Sequence, residues 1–110
     1  MRFAIPTTPT GHVDKSWGRA PRVTVAQVED GMVTEWLDFD VQWDRLHDVD
    51  GEGGHHALIA RFLLDHKVDR VAAQHMGPGM TVMLAKMRIT VDLGVSGDGR
   101  AVALESAGRG

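Results

Sequence analysis

The sequence predicts a single α/β domain, residues 1–110, in which helices cover a mixed β-sheet. Three observations carry this. Strand-like and helix-like segments alternate after an opening hairpin, which is the order of a sheet wrapped by helices. The 110 residues are 43% hydrophobic, enough for one core and too few for two. The only strong hairpin signal, Asp30-Gly31, joins two segments dense in β-branched residues.

Taken in order, Phe3 to Ile5 is a short apolar run stopped by Pro6, a brief first strand. Thr7 to Gly18, rich in Thr, Gly and Pro, reads as a long loop. Val23 to Val28 and Met32 to Phe39 are the second and third strands. From Asp40 to Gly54 the pattern breaks into Asp, Gly and His and is expected to be loop. Leu58, Ile59, Phe62 and Leu63 then recur at helical spacing, so a first helix is expected over Ala57 to His66. Val68 to Ala73 is a short buried-type strand. Gly77-Pro78 marks a helix start, with Met80, Met83, Leu84 and Met87 on one face. Ile89 to Leu93 gives a fifth strand, Gly94 to Gly99 a turn, and Ala101 to Ala107 a last helix.

This order makes the second strand antiparallel to its neighbours. Right-handed crossovers then make the first, third, fourth and fifth strands run one way. His12, His47, His55, His56 and His75 all fall at the ends where those strands finish, the usual ligand crevice of an open α/β sheet. His66 lies at the far end of the first helix, where a helix C-terminus and solvent account for it. His55 is four residues before Ile59 and so shares its inward stripe, whereas His56 is rotated away.

Composition excludes several classes. There is no cysteine, so neither disulfides nor thiolate metal sites are available. Any soft-metal chemistry must use histidine, methionine or carboxylate. The formal net charge is −3 with basic residues scattered singly, which argues against nucleic acid as a partner. The N-terminus lacks the apolar stretch of a signal peptide or membrane span, so a cytoplasmic protein is expected. No nucleophile motif surrounds Thr7, Thr8 or Ser16. A nuclease of the ribonuclease H type would need a carboxylate on the first strand, and Phe3-Ala4-Ile5 has none.

The histidines suit zinc, iron, nickel or copper, with Asp44, Asp48, Asp50 and Glu52 as further ligands or orienting partners. A lone histidine after a buried strand, such as His75, is more often a structural hydrogen-bonder, and the acidic stretch around His47 reads equally as a solvated loop. The amides of Gly53, Gly54 and His55 and of the Gly77-Pro78-Gly79 turn would favour an anion. Met80, Met83 and Met87 read as core, while Met76 and Met80 flank the turn where a thioether would meet a soft ligand. Trp17 and Arg19 lie where the first loop returns to the sheet, Trp17 either as a lid or, preferably, as an anchor.

Four segments together resemble the dinitrogenase iron-molybdenum cofactor biosynthesis family, of the NifX and NifB C-terminal type. They are Phe3-Ala4-Ile5-Pro6, Gly18-Arg19-Ala20-Pro21, the run Gly53-Gly54-His55-His56 leading into Ala57 to Leu63, and Val71 to Gly79. The resemblance implies a three-layer ribonuclease-H-like fold with sheet order 3-2-1-4-5, strand 2 antiparallel and helices on both faces. It also implies a non-catalytic carrier of an iron-sulfur or iron-molybdenum type cluster, working with a cluster-donor or acceptor protein. Where the family commonly has His-Phe before Gly-Arg, this chain has Ser16-Trp17, which removes one ligand position; His47, His55, His56 and His75 would compensate.

The expected function is therefore binding of a metal cluster or transition-metal ion. His75 and His55 are the first candidate ligands and His47 and His56 the next, with Trp17, Arg19, Gly54, Met76, Gly77 and Gly79 contacting the ligand. A binding module for a small anionic metabolite or nucleotide is the alternative, and a zinc-dependent hydrolase ranks behind it.

Overall fold

A computed structural model describes residues 1–109, the side chains of residues 47–53 excepted. Strand β1 (Arg2–Pro6) buries Phe3, Ala4 and Ile5 completely, and a short run that is apolar on successive residues must be covered on both faces. It therefore lies at the centre of a five-stranded sheet of order β3-β2-β1-β4-β5. β2 (Val23–Glu29) runs antiparallel to β1 and to β3 (Met32–Phe39). β4 (Arg70–Ala73) and β5 (Thr90–Leu93) are parallel additions on the other side. Sheet order and strand directions are those expected from the sequence.

The β2–β3 turn has Asp30 at φ 52° and Gly31 at φ 74°, the positive pair that a twisted two-residue hairpin requires. A register shift at Gln27/Val28 accompanies it.

Helices close both faces. α1 (Trp43–Asp65) and α2 (Pro78–Lys86) pack on one, with Trp17, Trp43, Ile59, Leu63, Val71, Met80 and Leu84 in the shared core. α3 (Gly99–Gly108) covers the other, over Phe3, Ile5, Ala26, Val28 and Ala72.

Of the boundaries that differ from expectation, two are explained by capping. α1 begins at Trp43, inside the stretch read as loop, because its start carries no capping signal. Gln42 at the N-cap adopts φ 52° and makes no side-chain cap bond, so no Ser, Thr, Asp or Asn announces the helix. The same helix is not a straight rod. Nineteen residues of ideal helix would separate Trp43 from Phe62 by about 28 Å, yet their rings meet edge-to-face at 5.6 Å. The first turn of α1 thus lies beside its second half. α3 begins at Gly99, two residues earlier than expected, because the Asp98 side chain accepts the Ala101 N–H at 3.0 Å.

Candidate functional site: a histidine and methionine cleft

The chain leaves β1 and loops through Trp17-Gly18-Arg19 before re-entering the sheet at β2. That loop is anchored by Trp17, which is 2% exposed and meets Trp43 edge-to-face at 5.2 Å. Trp17 is therefore the anchor rather than a lid. Its indole Nε1 is buried and finds no hydrogen-bond partner among the described residues. Leaving such a donor unsatisfied costs about 1–3 kcal/mol.

His55 stands opposite on α1, 1% exposed, on the same inward stripe as Ile59. Its Nε2–H donates to the carbonyl of Gly18. A carbonyl can only accept, so this contact fixes the proton on Nε2 and joins α1 to the Trp17–Arg19 loop. Its ring also faces Trp43 at 6.5 Å.

β4 delivers the third wall. After Ala73 the chain passes His75 and Met76 into α2, whose N-cap is Gly77 in extended conformation with Pro78 in the first turn. Pro78 has no N–H, and Gly77 supplies no side-chain cap. The amides of Gly79 and Met80 therefore have no helical carbonyl to bond, and the positive end of the helix opens on the same space. Met76 and Met80 are almost wholly buried, and the Met80 methyl reaches toward Gly18, within 4.0 Å of where a Cβ would sit.

These pieces enclose a cleft of ≈ 290 Å³ at the carboxyl edge of the sheet. Its lining includes Trp17, Arg19, His55, His56, His75, Met76, Gly77 and Gly79, all expected ligand contacts, together with Ser16, Gly18, Pro78 and Met80. His56, expected to be rotated away from the crevice, lines it half-buried, and His75 is exposed. Gly54 is not part of the lining and is exposed, in the body of α1 rather than at its start, so its amide is not the anion donor expected. The side chain of His47 lies outside the described residues. His12 belongs elsewhere: its Nδ1 pairs with Thr10 Oγ1 at 3.0 Å and its backbone bridges Asp98.

Two contributors escaped the sequence reading. Trp43 lay inside the apparent loop, and the Gly18 carbonyl is a partner that no local pattern indicates. Among the described residues no three His, Asp or Glu side chains converge as a metal-binding group.

The model of the family described as dinitrogenase iron-molybdenum cofactor matches residues 1–109. The chain belongs to the dinitrogenase iron-molybdenum cofactor family. Two solved structures are similar to this family member. The crystal structure of PH0822 superposes with a TM-score of 0.76 at 22% identity, covering 99% of this chain and 91% of that one. The NMR structure of a Thermotoga protein, TM1290, whose description places it with NifB and in the DUF35 family, superposes with a TM-score of 0.65 at 21% identity. That match covers 98% of this chain and 89% of the Thermotoga protein. At these identities the likeness speaks for the fold. No curated protein matches the sequence. Among the described residues no helix is long and apolar enough to cross a membrane.

Proposed function

We propose that the chain is a non-catalytic carrier that holds an iron-molybdenum or iron-sulfur type cluster, or a transition-metal ion, as cargo in the cleft. The observation that carries this reading is the convergence of His56, His75, Met76 and Met80 with the α2 N-terminus on one cavity, in a chain whose family is tied to the iron-molybdenum cofactor. The donor set fits such a cargo. With no cysteine in the chain, a cluster that depends on protein thiolates for assembly has nothing to hold it. A preassembled cluster that brings its own sulfur and net negative charge needs only a few imidazole or thioether contacts. The uncapped amides of Gly79 and Met80 and the unsatisfied Trp17 N–H favour an acceptor-rich, anionic guest.

In this reading His75 and His56 hold the metal, and His55 positions the wall through Gly18. The test is anaerobic incubation with a preassembled iron-molybdenum or iron-sulfur type cluster, removal of unbound cluster, and then metal analysis and visible absorption. The wild type should retain metal and His75→Ala should lose most of it. Equal, near-zero metal in both proteins refutes the carrier reading.

The uncapped α2 terminus and the Arg19 side chain in the lining also favour a second reading, a small anionic metabolite bound without metal. Thermal-shift screening in the presence of a chelator separates the two, because only this second reading requires stabilisation by metabolite with metal withheld.

A further inference from the structure

Resting on the second reading, that the cleft takes an anion without metal, we infer that its guest is a tetrahedral oxyanion, free or as a phosphomonoester. It is seated on the N-terminus of α2 and held from the first-loop wall by the Trp17 indole N–H and by Arg19. Three observations lead there. First, the α2 amides are left open by a residue that neither backbone nor packing demands. Gly77 at the N-cap sits at φ −70° and ψ 157°, extended backbone that any residue adopts, and nothing lies within 4 Å of where its Cβ would be. A Ser, Thr, Asp or Asn there would accept the N–H of Gly79 or Met80, as Asp98 accepts that of Ala101 at the start of α3. With glycine in that place, both amides and the positive helix end are left to a guest.

Second, the first-loop wall holds a donor of its own. Trp17 is 2% exposed and lines the same cleft, and its buried Nε1–H has no partner among the described residues. An indole nitrogen only donates, so the group that satisfies it must bring an acceptor. Arg19, in the same lining, adds a fixed positive charge. Third, donors carried by two walls suit a tetrahedral guest better than a planar one. A carboxylate has only two oxygens, both in one plane. A phosphate-type group carries a charge of about −1.5 to −2 and three diverging acceptor oxygens, enough to meet the amides, the indole and the guanidinium together.

The test is calorimetric titration of the whole chain after metal has been stripped with a chelating resin. Mildly alkaline buffer keeps a phosphomonoester, with its second pKa of about 6, as the dianion. The probes are inorganic phosphate, molybdate and phenyl phosphate, with malonate as a carboxylate dianion of similar charge. The proteins are the wild type, Gly77→Asp and Arg19→Gln. The new carboxylate of Gly77→Asp caps the α2 amides, so the empty protein should melt higher while binding of the tetrahedral probes weakens by roughly tenfold or more. A variant that is more stable and binds less does not owe its loss to misfolding. Arg19→Gln, at an exposed position, should melt as the wild type does and bind several-fold more weakly. The wild type should hold its best tetrahedral probe at least about tenfold more tightly than malonate. Phenyl phosphate bound more tightly than phosphate and molybdate identifies an ester as the guest, and the reverse order identifies the free ion.

Malonate held as tightly as the tetrahedral probes, tetrahedral probes bound by Gly77→Asp as by the wild type, or no binding of any of them overturns the inference. Failure here is distinguishable from failure of the anion reading. A wild type that rejects the tetrahedral probes yet is stabilised by a carboxylate metabolite without metal keeps that reading and loses this ligand class. A wild type that binds neither loses both.

Discussion

On the α3 side of the sheet the core closes completely, whereas on the α1–α2 side it stops short and leaves a cleft. The α3 side is made of small and branched residues, Ala26, Val28, Ala72, Val102 and Ala103, around Phe3 and Ile5. It is locked by a buried polar clip. Arg70 Nη1 donates to the Ser106 carbonyl at 2.7 Å and lies 3.4 Å from Asp92, and the Ser106 hydroxyl donates to Asp92. The α1–α2 side is made of large, adaptable residues, with Trp17, Trp43, Phe62 and four methionines in or against its core. The ligand-type side chains gather at the cleft on this side.

The first way to break that contrast is to remove the aromatic floor. Trp43 touches Trp17, His55 and Phe62, and Trp43→Ala should cost about 3–5 kcal/mol, as large buried aromatics do. Urea unfolding measures it. Because Trp17 and His55 lose their common support, the refolded fraction should also retain less metal. A variant that loses little stability and loads normally would mean that the cleft wall does not depend on Trp43.

The second acts on the opposite face and should separate stability from binding. Arg70→Ala leaves Asp92, only 17% exposed, without its cation and the Ser106 carbonyl without a donor. A fully buried pair broken this way costs about 3–5 kcal/mol, and the residual exposure of Asp92 reduces the expectation to about 2–3 kcal/mol. Pairing the change with Asp92→Asn should recover part of the loss in a double-mutant cycle. Metal uptake per folded chain should stay at the wild-type level. Lost uptake at full folding would show the two faces to be coupled.

A smaller loss is expected at Gly99→Ala. The added Cβ would sit 2.8 Å from the Gly11 carbonyl oxygen and 2.9 Å from the Trp36 ring, both fixed parts of the α3 side. Overpacking of this kind costs about 1–3 kcal/mol, partly offset by the better helix propensity of alanine. Thermal unfolding reads the difference, and an unchanged midpoint would mean that the α3 face yields more easily than its packing implies.

The features legible in the sequence were those encoded locally. Asp30-Gly31 named the hairpin because two successive positive φ angles admit few residues, and Gly77-Pro78 named the start of α2 because proline suits only the first turn. Trp43 was hidden because Gln42 caps nothing and the following stretch is rich in Asp and Gly, so an absent signal and weak propensity together read as loop. The site was legible only to the level of position. Strand order put His55 and His75 at one edge, but the Gly18 carbonyl that engages His55 is 37 residues away in the chain, a pairing that only the folded chain produces. Helical phase also misplaced His56, because the cavity reaches around α1 toward the flank on which it stands.

The smallest expected effect tests whether the outer surface of α1 belongs to either core. Arg61 and Asp65 pair at 3.0 Å, four residues apart, both well exposed to water. They border a shallow apolar groove formed by Val41, Trp43, Leu46, Leu58 and Phe62. An exposed pair at this spacing contributes about 0.3–0.5 kcal/mol and is screened by salt. Arg61→Ala should therefore shift the urea midpoint barely at all, and the shift should vanish at high ionic strength. A salt-independent loss well above 1 kcal/mol would mean that the aliphatic stem of Arg61 covers Trp43 and Phe62 as packing surface. The aromatic side would then extend outward through α1, and the contrast between the two faces would lie in how far each core reaches toward solvent rather than in how tightly it closes.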